Sequence, residues 1–370
     1  MGMTFFAGVT LTALTLAACG GETPPPQPPP PPPPPAPATA SATATATETP
    51  PPAPAPKPAL SERIPLVLKG MADADRTHDT AQEATFLADD VTVYFYGSLR
   101  ASELHGKSDV VDAFKSSLFP DAKSGWSRIW IKGNVAVVEY TLVGTMTRDG
   151  KDFKATNKPI GQKRAVVYVF NDDGLVKEER LYADVLAMRA QMKGDKNAPP
   201  IEALPAGAPE MHVAKGTPDE DKLADWAKKV DDAFNTGDVK QPIAFLADDV
   251  EYDAWGVPPL KGKKENAKDL RSFFKAFPDQ KWTSTNVMGI DGFVVIEHVF
   301  TGTQKAPYGR FTKVTGKPVT GEHYLEIWQP NADGKLAHGW AYANPVEALQ
   351  QTGVMEKSQE KPASSPAASK

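Results

Sequence analysis

A long internal duplication constrains this chain more than any other feature. Phe86-Leu87-Ala88-Asp89-Asp90-Val91 recurs as Phe245-Leu246-Ala247-Asp248-Asp249-Val250. Gly106-Lys107 returns as Gly262-Lys263, Pro120-Asp121 as Pro278-Asp279, and Val137-Val138-Glu139 as Val295-Ile296-Glu297. Gly144-Thr145, Lys158-Pro159, Asp173-Gly174 and Tyr182-Ala183 reappear as Gly302-Thr303, Lys317-Pro318, Asp333-Gly334 and Tyr342-Ala343. The offset stays between 156 and 160. Matches in constant order at a near-constant offset point to two diverged copies of one unit. Solenoid repeats have periods of about 20–50 residues, so each copy is a whole domain.

Both copies carry the same order of signals. Ile64, Val67, Leu68 and Met71 open the first at helical spacing, and Leu223, Trp226, Val230 and Phe234 open the second. A short strand follows (91–96; 250–255), then a second helix (108–118; 265–277). Strands are expected near 133–147, 161–170 and 175–183, and near 291–304, 320–329 and 335–343. An Asp-Gly pair joins the last two strands of each copy, a strong hairpin signal. A short final helix or turn ends each copy, near 185–192 and 346–352. Helices grouped with antiparallel strands indicate an α+β class, with helices covering one face of the sheet. The domains are set at 60–195 and 217–355, with 196–216, which holds Pro199-Pro200, Pro205 and Pro209, as linker. A tail at 356–370 is expected to be disordered.

Of the 36 prolines, 18 lie between Gly21 and Leu60, in a stretch of Pro, Ala and Thr. It has too little apolar surface to offset ordering entropy, so residues 20–59 read as an extended stalk. Residues 1–19 carry an apolar run from Phe5 to Ala18, shorter than the ~20 residues a spanning helix needs but suited to a signal peptide. Leu16-Ala17-Ala18-Cys19 resembles the lipobox of bacterial lipoproteins. That resemblance implies cleavage before Cys19, its diacylation, and a protein held at the membrane, facing periplasm or exterior. Cys19 is the sole cysteine, so no disulfide framework competes for it. The formal net charge is −5 with no basic patch, which removes nucleic acid as a partner.

Gly302-Thr303, Pro307-Tyr308, Thr315-Gly316-Lys317-Pro318-Val319, Asp333-Gly334-Lys335-Leu336 and Trp340, with the ending Leu349-Gln350-Gln351-Thr352-Gly353, resemble the SnoaL-like polyketide cyclase group of the nuclear transport factor 2-like superfamily. The resemblance implies two cone-shaped domains, each a curved antiparallel sheet wrapped on helices around a pocket. It also implies an acid/base histidine after the Gly-Thr and an aspartate after the last strand. Here those positions read Met146 and Gln304, then Asp184 and Asn344. An amide exchanges no proton near neutrality. A protein that binds a small, partly apolar ligand without efficient catalysis is therefore expected. The alternatives are an acid/base cyclase, hydratase or isomerase, and a structural module that pairs its own domains or forms a homo-oligomer.

If chemistry survives, Asp184 and His298 are the catalytic candidates. His298 alternates with Val294, Ile296 and Phe300 on an apolar face. With a two-residue loop at Asp333-Gly334, His323 lies opposite Asn344, and His338, Trp340 and Tyr342 point the same way; a bulge would reverse the facing. These five, with Arg164 and Arg180, are candidate pocket residues. The histidines read equally as core or solvent-facing groups, and the arginines with Asp184 as rim ion pairs. Glu139 and Glu297 recur, most simply as partners of a neighbouring strand's base. Tyr94, Tyr96, Trp126, Trp255 and Trp282 read as packing. No metal spacing, phosphate loop or dinucleotide fingerprint is present, so no metal or cofactor is expected.

Overall fold

The computed structural model describes residues 58–96, 103–150, 154–254 and 256–355. The Phe5–Ala18 run, Cys19, most of the Pro-rich segment, Trp255 and the tail lie outside them. The first copy runs α1 (Leu60–Thr77), α2 (Thr80–Thr85), β1 (Leu87–Phe95), β2 (Glu103–His105), α3 (Lys107–Lys115), β3 (Lys123–Lys132), β4 (Val135–Thr145), β5 (Pro159–Phe170), β6 (Val176–Tyr182) and α4 (Val185–Lys193). After β7 (Glu210–Val213) the second follows with α5 (Pro218–Asn235), α6 (Lys240–Ile243), β8 (Leu246–Ala254), β9 (Leu260–Lys261), α7 (Gly262–Ala276), β10 (Lys281–Ile290), β11 (Phe293–Thr303), β12 (Pro318–Pro330), β13 (Leu336–Ala343) and α8 (Val346–Gln351).

The class is α+β, and the two sheets share one plan. The first is ordered β2-β1-β6-β5-β4-β3-β7, the second β10-β11-β12-β13-β8-β9. Pairing is mainly antiparallel, except that β1 runs parallel to β6 and β8 to β13. No hairpin joins those strands, so turn geometry does not dictate their direction. The linker also contributes structure, since β7 adds to the first sheet parallel to β3.

Two strands depart from expectation. β3 and β10 fall where no strand is foreseen, because polar residues interrupt their apolar pattern. Each closes a tight hairpin with its successor. Lys132 pairs with Val135, and Ile290 with Phe293 across Asp291-Gly292, whose φ values of 47° and 85° suit the primed turns that match strand twist. The later Asp-Gly turns are wider than two residues. The Asn171 side-chain oxygen accepts from the amides of Asp173 and Leu175, and Asn331 does the same for Asp333 and Lys335. A register shift sits at the loop end of each hairpin, between Val169 and Phe170 and between Gln329 and Pro330. It therefore leaves the facing of the strand bodies intact, with Tyr324 opposite Ala343.

α1 buries Ile64, Leu68, Met71 and Ala72 against the inner face of the first sheet, joining Val93, Trp126, Val138 and Tyr168. α5 does the same with Ala227 and Val230 against Val294, Ile296 and Trp328. The opposite faces of the two sheets bury each other: Trp130, Val137, Val167 and Tyr182 pack with Ile290, Phe293, Val295, Ile327 and Tyr342.

Charged groups cross this apolar seam reciprocally. Tyr182 donates its hydroxyl to Glu297 at 2.6 Å, and the equivalent Tyr342 donates to the equivalent Glu139. Such exchange of one contact between two copies is the signature of a two-fold interface. The cations break the symmetry. Arg180 reaches across to Glu297 through two hydrogen bonds of 2.8 and 2.7 Å. Arg128 pairs with an acid of its own copy, Glu139 at 2.8 Å, and crosses the seam only to stack 3.9 Å over the Trp340 ring. Trp340 occupies the position equivalent to Arg180, and Asn286 that of Arg128. At the seam's edge Arg310 grips Asp184 with two contacts of 2.6 Å.

Glu322, 2 % exposed, keeps an unpartnered carboxylate oxygen, and burial pushes it up to about 8 from 4.5. Its counterpart in the first copy is Gln162. The stability that this protonated acid contributes is complete below its unfolded pKa and is lost as pH rises through about 8. Glu322→Gln is expected to raise the melting temperature at pH 9 by a few degrees and to give no gain at pH 5, read by calorimetry. Glu297→Ala strips Arg180 and Tyr182 of their acceptor. Urea unfolding should register a loss of about 3–5 kcal/mol for leaving the buried cation unpaired, against about 1–3 kcal/mol for Tyr182→Phe.

Candidate functional sites in two cones

Each sheet curls over its long helix and leaves a cavity, about 350 Å³ in the first copy and about 290 Å³ in the second. Both sit where cavity-forming folds hold small molecules, walled mainly by apolar side chains with a few polar groups.

One carboxyl enters each cavity from the long helix. Asp75 follows Leu68 and Met71 on the buried stripe of α1, and Asp231 follows Ala227 and Val230 on α5. At the offset of 159 that runs through this helix Asp75 aligns with Phe234 and Asp231 with Ala72, so the two acids sit about one turn apart on the same helical stripe. A charge on an apolar helical stripe, repeated in both copies, is a legible signal that the sequence reading passed over.

In the second cavity Asp231 faces His298 of β11, with Nδ1 3.6 Å from Oδ1. The Ser284 hydroxyl donates to the other carboxyl oxygen. Burial raises Asp231 to about 6, only partly opposed by Ser284, so it gives up its proton close to neutrality. His298 is 2 % exposed and burial lowers it to about 3, so its imidazole is neutral; neither ring nitrogen has a hydrogen-bond partner. Beside it, Glu326 is raised by burial to about 7 while it accepts from Tyr252 at 2.8 Å and from the Trp328 indole at 2.5 Å. Trp282, Phe273, Phe234 and Tyr324 complete an aromatic wall, and Tyr308 donates to Asp269 at 2.8 Å.

The first cavity has other chemistry. Asp75 accepts from the Trp126 indole at 2.7 Å and is raised by burial to about 6. Glu83 of α2 is raised to about 8 by burial and then by the neighbouring Asp75 charge. Glu179 of β6 is raised to about 7, again chiefly by burial. Tyr140 stands at the position of His298, and Arg164 lies at the wall, where Nε donates to Gln162 at 2.9 Å. Among the described residues no group of acids, histidines and cysteines is arranged to hold a metal ion.

Of the candidate residues, His298 and Arg164 line these cavities. The others do not. Asp184 caps α4 by accepting from the Ala187 amide at 2.9 Å and is engaged by Arg310 of the second copy, so it is a buried seam contact rather than a rim ion pair or a proton-transfer group. Arg180, Trp340 and Tyr342 belong to the seam, because odd-numbered and even-numbered positions of a strand face opposite ways. His323 stacks 4.0 Å from Tyr96 of the first copy, and His338 stacks on Trp340 at 5.7 Å; both share that outer face. Asn344 turns its side-chain oxygen to the Val346 amide at 3.3 Å, at the start of α8. Glu139 pairs with Arg128 of the adjacent strand, whereas the cation on Glu297 comes from the other copy. Trp126 is core and Trp282 cavity wall. Met146 and Gln304 are fully buried turn supports, with Gln304 donating to the Phe311 carbonyl at 2.9 Å.

Comparison with known proteins agrees with the duplication. Residues 224–352 match the SnoaL-like polyketide cyclase family and residues 68–179 a second SnoaL-like domain family. Among solved structures, AclR from Streptomyces galilaeus is 19 % identical over 38 % of this chain and 87 % of its own, with a TM-score of 0.34. TsrD from Streptomyces laurentii is 17 % identical over 36 % and 97 %, TM-score 0.32. IdmH from Streptomyces antibioticus is 17 % identical over 35 % and 99 %, TM-score 0.31. No curated protein matches the chain. The chain therefore carries in tandem two regions, 68–179 and 224–352, that each match a SnoaL-like domain family.

Proposed function

We propose that the second copy is an acid/base catalyst that moves a proton at a carbon next to a carbonyl, in a small and largely apolar substrate. The observation that carries this reading is the Asp231–His298 pair, an acid tuned to about 6 beside a neutral imidazole with no hydrogen-bond partner, in an aromatic cavity. Proton transfer is most effective when the group's pKa lies near ambient pH. Asp231, ionised above about 6, takes the proton. His298 supplies an N–H to the oxygen on which negative charge develops, since an uncommitted donor in a dry cavity stabilises charge better than one already bonded. Aromatic walls hold the substrate and exclude water. Cyclases and isomerases of enolisable compounds use this chemistry, which fits the family to which residues 224–352 are similar.

Binding without turnover, expected from Gln304 and Asn344, is the second reading. It loses its main support because both residues serve as structural hydrogen-bonding groups outside the cavity. We further propose that the protein works at a cell envelope, held by lipidated Cys19 with the Pro-rich segment as spacer.

Hydrogen–deuterium exchange at the α-carbons of a panel of small ketones, 2-tetralone among them, tests the proposal by NMR. The protein should accelerate exchange. The rate should rise as pH climbs through about 6, where Asp231 loses its proton, and fall about 100-fold or more in Asp231→Asn. Exchange no faster than in buffer across the panel, or unchanged in Asp231→Asn, contradicts the assignment.

A further inference from the structure

The first cavity departs from the second in a specific direction. Each holds a helix carboxyl, Asp75 or Asp231, and two further acids. In the second, Asp269 accepts from Tyr308 and Glu326 from Tyr252 and Trp328, whereas the first has Glu83 and Glu179, which no aromatic hydroxyl or indole reaches among the described residues. By the repeat, Glu83 corresponds to Pro242 and Glu179 to Gly339. The fold therefore does not need acids at either position. At Gly339 a Cβ would lie 2.5 Å from the Tyr252 ring, so in the second copy an aromatic side chain fills the space where the first places a carboxyl.

Three carboxyls thus share one cavity with a single guanidinium, Arg164, whose Nε is held by Gln162 and whose Nη2 lies 3.2 Å from the Met188 sulfur. None of the three forms an ion pair among the described residues. Glu179, part-buried at the cavity wall, has no hydrogen-bond partner there at all. Buried acids are ordinarily paired or coordinate a metal. Among the described residues no group is arranged to hold a metal ion, and most of the wall is apolar, including Met71, Phe95, Phe114 and Leu142. A counter-charge that fits must therefore arrive with an apolar body attached.

We propose that the first copy's cavity binds an organic cation, an amine with a compact apolar body, whose ammonium group sits among Asp75, Glu83 and Glu179. Ammonium hydrogens offer donors to the unpartnered Glu179 and to the Asp75–Glu83 pair. Burial and mutual repulsion now oppose ionisation of these acids, and a cation among them offsets both effects. The hydrocarbon portion covers the aliphatic wall. This site is independent of the proton-transfer chemistry assigned to the second copy.

Three probes of one shape and different charge separate the contributions: 1-adamantylammonium, 1-adamantanol and 1-adamantanecarboxylate, titrated calorimetrically into the full chain at pH 7. The ammonium should bind at least tenfold more tightly than the alcohol, and the carboxylate more weakly than either. Glu179→Gln should remove that ammonium preference while alcohol binding persists, which also reports an intact fold. Asp231→Asn should leave ammonium binding unchanged. The proposal is overturned if the alcohol binds as well as the ammonium, or if no ammonium binding is seen. It is equally overturned if Glu179→Gln keeps the preference, or if Asp231→Asn, rather than Glu179→Gln, abolishes it and so places the cation in the second cavity.

Discussion

Two tyrosine hydroxyls and two glutamates hold this molecule in its arrangement. Tyr182 with Glu297, and Tyr342 with Glu139, place one hydrogen bond in each direction across an otherwise apolar seam. Buried acids in such a place are tolerable only when their lone pairs are satisfied. Arg128 and Arg180 supply the remaining donors. The consequence for function is positional. With both outer sheet faces covered by each other, Glu139, Glu297, Arg180 and His323 are committed to the seam, and the polar groups left free for chemistry are those inside the cones.

Within the cones the copies have diverged around a common element. Each long helix sends one acid inward, Asp75 in the first copy and Asp231 one turn away in the second, and the surroundings differ. Tyr140 and His298 exchange a phenol for an imidazole, and Glu179 and Gly339 exchange a carboxyl for space taken by Tyr252. The second cavity pairs one tuned acid with one unbonded imidazole, an arrangement for proton transfer. The first gathers three acids beside one arginine that forms an ion pair with none of them among the described residues, an arrangement for holding positive charge. A duplicated domain that keeps its fold and changes a few inward side chains gains two chemistries on one frame.

The frame was legible before any coordinates. Constant repeat offset gave the two domains, and helical periodicity at Ile64–Met71 and Leu223–Phe234 gave the helices that line the cones. β3 and β10 were not legible, because Ser127-Arg128 and Ser284-Thr285-Asn286 put polar residues where an apolar run was sought; Ser127, Arg128 and Asn286 serve the seam, and Ser284 the second cavity. The sites were half legible. His298 stood out on its apolar face, but attention to the positions after Gly-Thr and after the last strand led to Met146, Gln304, Asp184 and Asn344, which support turns, caps and the seam. Asp75 and Asp231 carried the better signal, an acid on the apolar stripe of each long helix, one turn apart in repeat register. The acids added from α2 and β6 needed the three-dimensional structure, since only folding brings Glu83 and Glu179 to Asp75.

The central claim is that burial in the cones brings the protonation of these carboxyls near neutral pH. Carbon-detected NMR of the side-chain carboxyls across pH 4 to 9, assigned with Asp231→Asn and Glu83→Gln, measures it directly. The account predicts midpoints near 6 for Asp231 and near 8 for Glu83. Midpoints near 4 for both, as for carboxyls in water, would contradict it.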